Sequence, residues 1–247
     1  MIPNYYEEKS VVTSSMCDTR FRISLSGLLD LFQNAQTAHT ELMGVDAPNM
    51  LEKSNSFWVL TKYQLRFYSL PSWRSEVTVR TWPSPPTLAK AERQIVVEDD
   101  RGEIAVCAKA EWCALDYDTR KIRKLSTITC YPFNMEHKTE KAFEGGFINI
   151  TEKPEPADYR YSVKIGYSLL DFNKHVNNVK YVGFITDCFP CDFWESVEIS
   201  DFEIIYANEL IEGDELDVFA KTKDGKLLFF GKKKNGLDVF KAVIITK

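Results

Sequence analysis

Apolar positions recur at helical spacing in one long stretch near the start of the chain. Leu28, Phe32, Ala35, His39 and Leu42 fall on one face, with Leu29, Gln36 and Met43 beside them, and Ser24 stands ahead as an N-cap. A shorter stripe of the same kind follows Asn177: Tyr181, Ile185 and Cys188, flanked by Val182 and Phe189, running into Pro190. That proline is predicted to close or kink the second helix. After each helix the period drops to two. The segments 76–82, 93–98, 104–115, 202–206, 215–220 and 242–246 alternate and are rich in β-branched residues, so they are predicted strands. Arg101-Gly102 and Asn235-Gly236 are predicted hairpin turns.

The two runs of elements resemble each other. An offset of 153 lays Asp18 on Asp171, Ile23 on Val176, Ser24 on Asn177, Leu28 on Tyr181, Leu29 on Val182 and Phe32 on Ile185. An offset of 139 then lays Tyr63 on Phe202, Leu65 on Ile204, Phe67 on Tyr206 and Val79 on Val218. A duplicated unit explains two offsets in the same order better than chance does. Each unit reads as one helix followed by antiparallel strands, an α+β domain. Charges, Gly145-Gly146, Pro154 and Pro156 interrupt the periodicity between them. The expected division is a first domain over 1–135, a linker over 136–157 and a second domain over 158–247.

Composition narrows the function classes. The chain has 247 residues, 44% of them hydrophobic, enough for a sizeable core, and a net charge of -5, which argues against a nucleic-acid partner. No apolar run reaches the roughly 20 residues of a membrane span. The polar, acidic start (Met1 to Glu8) lacks the marks of a signal or transit peptide, so a cytoplasmic protein is expected. Six cysteines are expected to be reduced thiols. Cys188 and Cys191 are separated by two residues, but no second pair stands near to complete a zinc site. No metal or organic cofactor is called for.

The polar chemistry gathers ahead of the second helix, in Asp171-Phe172-Asn173-Lys174-His175-Val176-Asn177-Asn178. A helix start offers backbone N–H groups and partial positive charge, so the N–H groups from Val176 to Asn178 are expected to receive an oxyanion. The first unit has Arg20 where the second has Asn173, Arg22 where it has His175, and Leu70 where it has Glu209. The acid–base set is therefore confined to the second unit. Each residue also has a structural reading: Asp171 as an Asx-turn residue, His175 as a packed histidine, Asn177 as a helix cap, and Glu209 as a strand-end charge. His39 is expected to pack or to line a pocket, and His137 is assigned no role.

The ordered set Asp171-x-Asn173-x-His175-Val176-Asn177-Asn178-x-x-Tyr181 resembles the signature of the acyl-acyl carrier protein (ACP) thioesterases. Arg22-Ile23 with Gln33-Asn34-Ala35, Trp58-Val59-Leu60-Thr61, Thr81-Trp82-Pro83 and Glu111-Trp112 to Arg120 extend the likeness along nearly the whole chain. The resemblance implies two tandem hotdog domains, each an antiparallel sheet wrapped around a long helix. It also implies hydrolysis of a fatty acyl thioester borne by ACP, with Asp171, Asn173, His175 and Glu209 as site residues. Plant members carry a cysteine directly after that glutamate. Here the position is Leu210, which favours attack by water. The first domain is expected to supply the acyl pocket. Arg120 to Lys124 and Lys232 to Lys234 are the candidate contacts for acidic ACP, although either stretch could be a solvated loop. A hotdog acyl-CoA thioesterase, a hotdog dehydratase and a non-catalytic acyl-binding protein are the alternatives. A homodimer would follow by analogy alone.

Overall fold

The computed structural model describes residues 2–148, 150–154 and 156–247. Ten strands form one antiparallel sheet: β1 (Tyr6–Val11), β2 (Ser56–Phe67), β3 (Glu76–Pro83), β4 (Lys90–Glu98), β5 (Ile104–Asp116), β6 (Tyr159–Lys164), β7 (Ile199–Tyr206), β8 (Glu215–Lys223), β9 (Lys226–Lys233) and β10 (Asp238–Thr246). Their order is β1-β3-β4-β5-β2-β7-β10-β9-β8-β6, so each unit repeats the other and the two join through β2 and β7. All six predicted strands are present, and both predicted turns close hairpins with Gly102 and Gly236 at positive φ. The edge strands β1 and β6 had no sequence signal, being mostly polar and half exposed.

Strand pairing reproduces the duplication. Tyr6 faces Thr81 in the first unit as Tyr159 faces Ala220 in the second. At the central pair, Tyr63 faces Ile204 and Leu65 faces Phe202, which puts the pseudo-dyad at Gln64 and Glu203. The inner face of the sheet wraps α1 (Leu25–Met43) and the shorter helices, and one apolar cluster runs through both units.

The long helix belongs to the first unit, and the break expected at Pro190 is present in the second. In the first unit α1 runs for 19 residues, capped by Ser24 Oγ, which accepts from Gly27 N at 3.0 Å. Leu42, expected on its buried face, is exposed, and Met43 is buried instead. In the second unit the corresponding stretch is split into α3 (Lys180–Thr186) and α4 (Cys191–Ser196) by Pro190, whose ring and missing N–H end the helical ladder. A further helix, α2 (Ala47–Ser54), lies between α1 and β2; it accounts for the change of offset and has no counterpart in the second unit.

The segment expected to link the units crosses the outer face of the sheet. Phe143 packs with Trp82, Val96 and Cys107 of the first unit, and Ile150 with Leu228, Phe230 and Val243 of the second. Among the described residues this segment forms no ladder, so side chains from the sheet serve its backbone. Trp82 Nε1 donates to Glu140 O (2.9 Å), Gln64 Nε2 to Gly146 O (3.2 Å) and Lys109 Nζ to Gly145 O, while Glu203 Oε2 accepts from Ile148 N (2.9 Å).

Candidate active site

The loop before each unit's first inner helix is built the same way in both units. Asp171 Oδ1 accepts from Asn173 N (2.8 Å) and His175 N (3.3 Å), and Asp171 N donates to His175 O (2.8 Å). Asp18 makes the same three bonds, to Arg20 N (2.9 Å), Arg22 N (3.0 Å) and Arg22 O (2.7 Å). Phe21 and Lys174, the middle residues of the two loops, share a left-handed conformation, φ 58 and φ 64. Ile23 N donates to Pro71 O and Val176 N to Leu210 O, both at 2.8 Å. Asp171 thus performs a turn-forming job that the first unit also needs. What differs is what the loops carry.

In the second unit His175 Nε2 lies 3.3 Å from Glu209 Oε2. The isolated bridge between His175 and Ile211 holds the loop beside the chain that follows β7, and so fixes this approach. In the first unit Arg20 and Arg22 turn to Glu198, at 2.8 and 2.9 Å, and Leu70 packs against the core. Asn173 is exposed and lines a cavity of about 1030 Å³ together with Asp171, His175, Asn177 and Asn178. Of the predicted set, Asp171, Asn173 and His175 line this cavity, and Glu209 meets His175 at its mouth. The opposite walls come from the first unit: Leu29 and Met43 of α1 and Val45 just after it, then Trp58, Leu60, Ala91 and Trp112 from the strands.

One expectation is corrected. The N–H groups of Val176 and Asn177 do not face a substrate, because they donate to Leu210 O (2.8 Å) and Leu169 O (3.0 Å). The N–H of Val179 is spent on Asn177 Oδ1 at 3.0 Å, in the turn that leads into α3. The amide side chains of Asn173 and Asn178 remain at the cavity wall.

The structure adds a residue that sequence reasoning placed only in a basic stretch. Arg120, at positive φ after β5, lines the cavity with Nη1 3.7 Å from Glu209 Oε1, its guanidinium over Phe57 at 4.8 Å. Arg123 is occupied structurally, donating to Ser54 O, Ser56 Oγ (2.8 Å) and Thr127 O (2.8 Å). Lys232, Lys233 and Lys234 pair with Asp238, Asp214 and Glu215. His39 is fully buried and stacks on Tyr6 with ring centroids 6.2 Å apart. Among the described residues no group of three or more His, Cys, Asp or Glu is placed to hold a metal ion, and no helix is long and apolar enough to cross a membrane.

Residues 3–131 match the family model of the acyl-ACP thioesterase N-terminal domain, and residues 151–242 that of the C-terminal domain. The oleoyl-acyl carrier protein thioesterase 1 of Arabidopsis thaliana, a chloroplastic protein, is 23% identical over 230 residues, covering 88% of this chain and 64% of its own. A chloroplastic palmitoyl-acyl carrier protein thioesterase of Gossypium hirsutum is 28% identical over 196 residues, 75% of this chain and 47% of its own. The chain therefore spans roughly half to two thirds of the length of the curated relatives it matches. Two solved structures share its fold. An acyl-ACP thioesterase from Bacteroides thetaiotaomicron superposes with TM-score 0.86 at 22% identity, covering 99% of this chain and 98% of that one. The 12:0-ACP thioesterase from Umbellularia californica gives 0.89 at 19%, covering 100% and 98%. With both units matched in order and the double-hotdog architecture shared end to end, the chain belongs to the acyl-ACP thioesterase family.

Proposed function

We propose that this chain hydrolyses fatty acyl thioesters carried on ACP, releasing free fatty acid and so ending chain growth. The observation that carries the reading is the His175–Glu209 pair, 3.3 Å apart at the mouth of a cavity walled largely by apolar side chains. A paired imidazole and carboxylate can take a proton from water, an assistance worth typically about 10²–10⁴-fold. The water oxygen bonds to the thioester carbonyl carbon, and its proton passes to His175. The C–S bond then breaks, and that proton moves to the departing sulfur. Asn173 orients the carbonyl and donates its side-chain N–H to the developing oxyanion, since the N–H groups of Val176 and Asn177 are already engaged. Asp171 positions Asn173 and His175 through its bonds to their backbone.

The division of labour follows the units. The first unit shapes the acyl pocket and the second brings the acid–base pair. Arg120 and Lys174 line the cavity and offer basic groups for acidic ACP, whereas Lys232 to Lys234 pair with Asp238, Asp214 and Glu215. A cytoplasmic setting is part of the proposal and is supported by six free cysteines, as in a reducing compartment. The homodimer suggested by analogy supplies nothing that the site lacks, because the pair and the cavity belong to one chain.

The test is product release from a panel of acyl-ACPs and acyl-CoAs, by wild type and by Asp171→Ala, Asn173→Ala, His175→Ala and Glu209→Ala. Free thiol and free fatty acid, a higher kcat/KM on ACP, and a loss of 10²-fold or more in the His175 and Glu209 variants are expected. Wild-type rates in both of those variants would end the reading.

A further inference from the structure

The cavity wall contributed by the first unit carries one group that a plain hydrocarbon chain cannot use. Arg93 lies on β4 with its side chain on the inner face, in the same row as Ala91, Ile95 and Val97, and is 5% exposed. Arg93 is one of the residues that line the cavity. Nη2 donates to His39 Nδ1 at 2.6 Å and approaches Thr81 Oγ1 at 3.4 Å, and Nη1 reaches Met43 Sδ at 3.8 Å. Nε donates to no group among the described residues. His39 cannot balance the charge. Burial and the neighbouring Arg93 lower its pKa to about 4, and its Nε2 faces Pro3 O at 3.0 Å, so the ring is neutral. Among the described residues Arg93 forms no ion pair. The carboxylates that line the same cavity are engaged elsewhere, Asp46 as the cap of α2 and Asp171 in its loop.

The fold does not require this cation. Thr81 faces Ile95 in the first unit as Ala220 faces Phe229 in the second, so the strand registers equate Arg93 with Leu227, a buried member of the apolar core. A guanidinium buried without a counter-charge is costly, and an alkyl terminus laid against it leaves that cost in place. An oxygen acceptor at the far end of the chain would offset it. We propose that Arg93 forms the floor of the acyl site and recognises an oxygen, hydroxyl or carboxylate, at the distal end of an ω-oxygenated acyl thioester. This assignment rests on the hydrolase reading for its reaction, but not for its binding.

The test compares kcat/KM of the full chain on alkyl, ω-hydroxyalkyl and ω-carboxyalkyl thioesters of matched length, for wild type and Arg93→Met. The ratio of each oxygenated substrate to the alkyl one should fall by roughly 10- to 100-fold in the variant, the range for a hydrogen bond to a charged group. The larger fall tells which oxygen is preferred. Unchanged ratios for both, with the alkyl substrate turned over, overturn the assignment while leaving the hydrolase reading intact. Thermal shift of the wild type by free ω-hydroxy, α,ω-dicarboxylic and plain fatty acids of equal length needs neither turnover nor a folded variant. A larger shift by the ω-hydroxy acid, or by the α,ω-diacid of the same length, supports the assignment, and equal or smaller shifts by both overturn it. If no thioester is cleaved, the hydrolase reading fails and the thermal shift alone decides on Arg93.

Discussion

Glu203 sits at the pseudo-dyad, 1% exposed, opposite Gln64 on the seam between the units. Burial raises its pKa from 4.5 to about 7, against the lowering effect of the Ile148 N–H and of Lys109 and Lys62. The folded protein therefore holds this proton more tightly than the unfolded chain does. The contribution to stability is full below about pH 4.5 and is lost as the pH rises through 7. A shift of that size, at 1.36 kcal/mol per pH unit, amounts to about 3 kcal/mol between pH 4.5 and 8. Glu203→Gln keeps the shape, can still accept from Ile148 N, and cannot ionise. Its unfolding free energy, from urea titrations at pH 5, 6, 7 and 8, should draw ahead of wild type by about 3 kcal/mol as the pH rises. His39, held neutral by burial, acts in the opposite sense below pH 6.5, so variant and wild type are compared at each pH. A constant difference across the series would refute the reasoning, because the carboxyl would then be carrying its charge in the folded state throughout.

Two further predictions concern the site and its scaffold. Arg120→Ala should raise KM for an ACP-borne substrate more than for a short pantetheine thioester, while kcat changes by less than about fivefold, because an exposed ion pair such as Arg120–Glu209 is worth at most about 1 kcal/mol; steady-state kinetics on both carriers checks this. Gly27→Ala should destabilise by about 1–3 kcal/mol, because the new methyl would overlap the Met16 carbonyl, whereas Gly183→Ala in α3 meets nothing within 4 Å and should be neutral or slightly stabilising; calorimetry of the two variants separates them.

The duplication was legible because both offsets mark residues that the fold uses twice. Asp18 and Asp171 close the same loop, and Tyr63 and Phe202 hold equivalent places about the seam. Where the sequence misled, the deciding partner lies far along the chain. The N–H of Val176 reads as a free donor at a helix start until Leu210 is folded against it. Arg120 reads as part of a basic loop until the end of β5 is brought to Glu209. Arg93 looks like one more charge in an alternating strand, and only the inner face of the sheet shows it to be buried. The shortness of the second helix is legible locally, because the Pro190 ring ends the ladder between α3 and α4.

A duplicated chain with one acid–base pair needs a reason for the other site's absence, and packing supplies it. In the second unit Phe189 stacks on Phe193 with centroids 4.2 Å apart, and meets Trp194 and Phe229 edge-on at 5.7 and 5.9 Å. These rings follow from the break at Pro190, which turns α4 and its aromatics inward in the part of the repeat where the first unit continues α1 and adds α2 beside the cavity. The first unit's loop, in turn, is tied to the second through Arg20 and Arg22 on Glu198. Restoring a histidine at Arg22 and a glutamate at Leu70 would recreate the residue pair but would take Arg22 from Glu198, leaving it Arg20 alone. Each unit has given up what the other keeps, so neither half alone should turn over an acyl thioester.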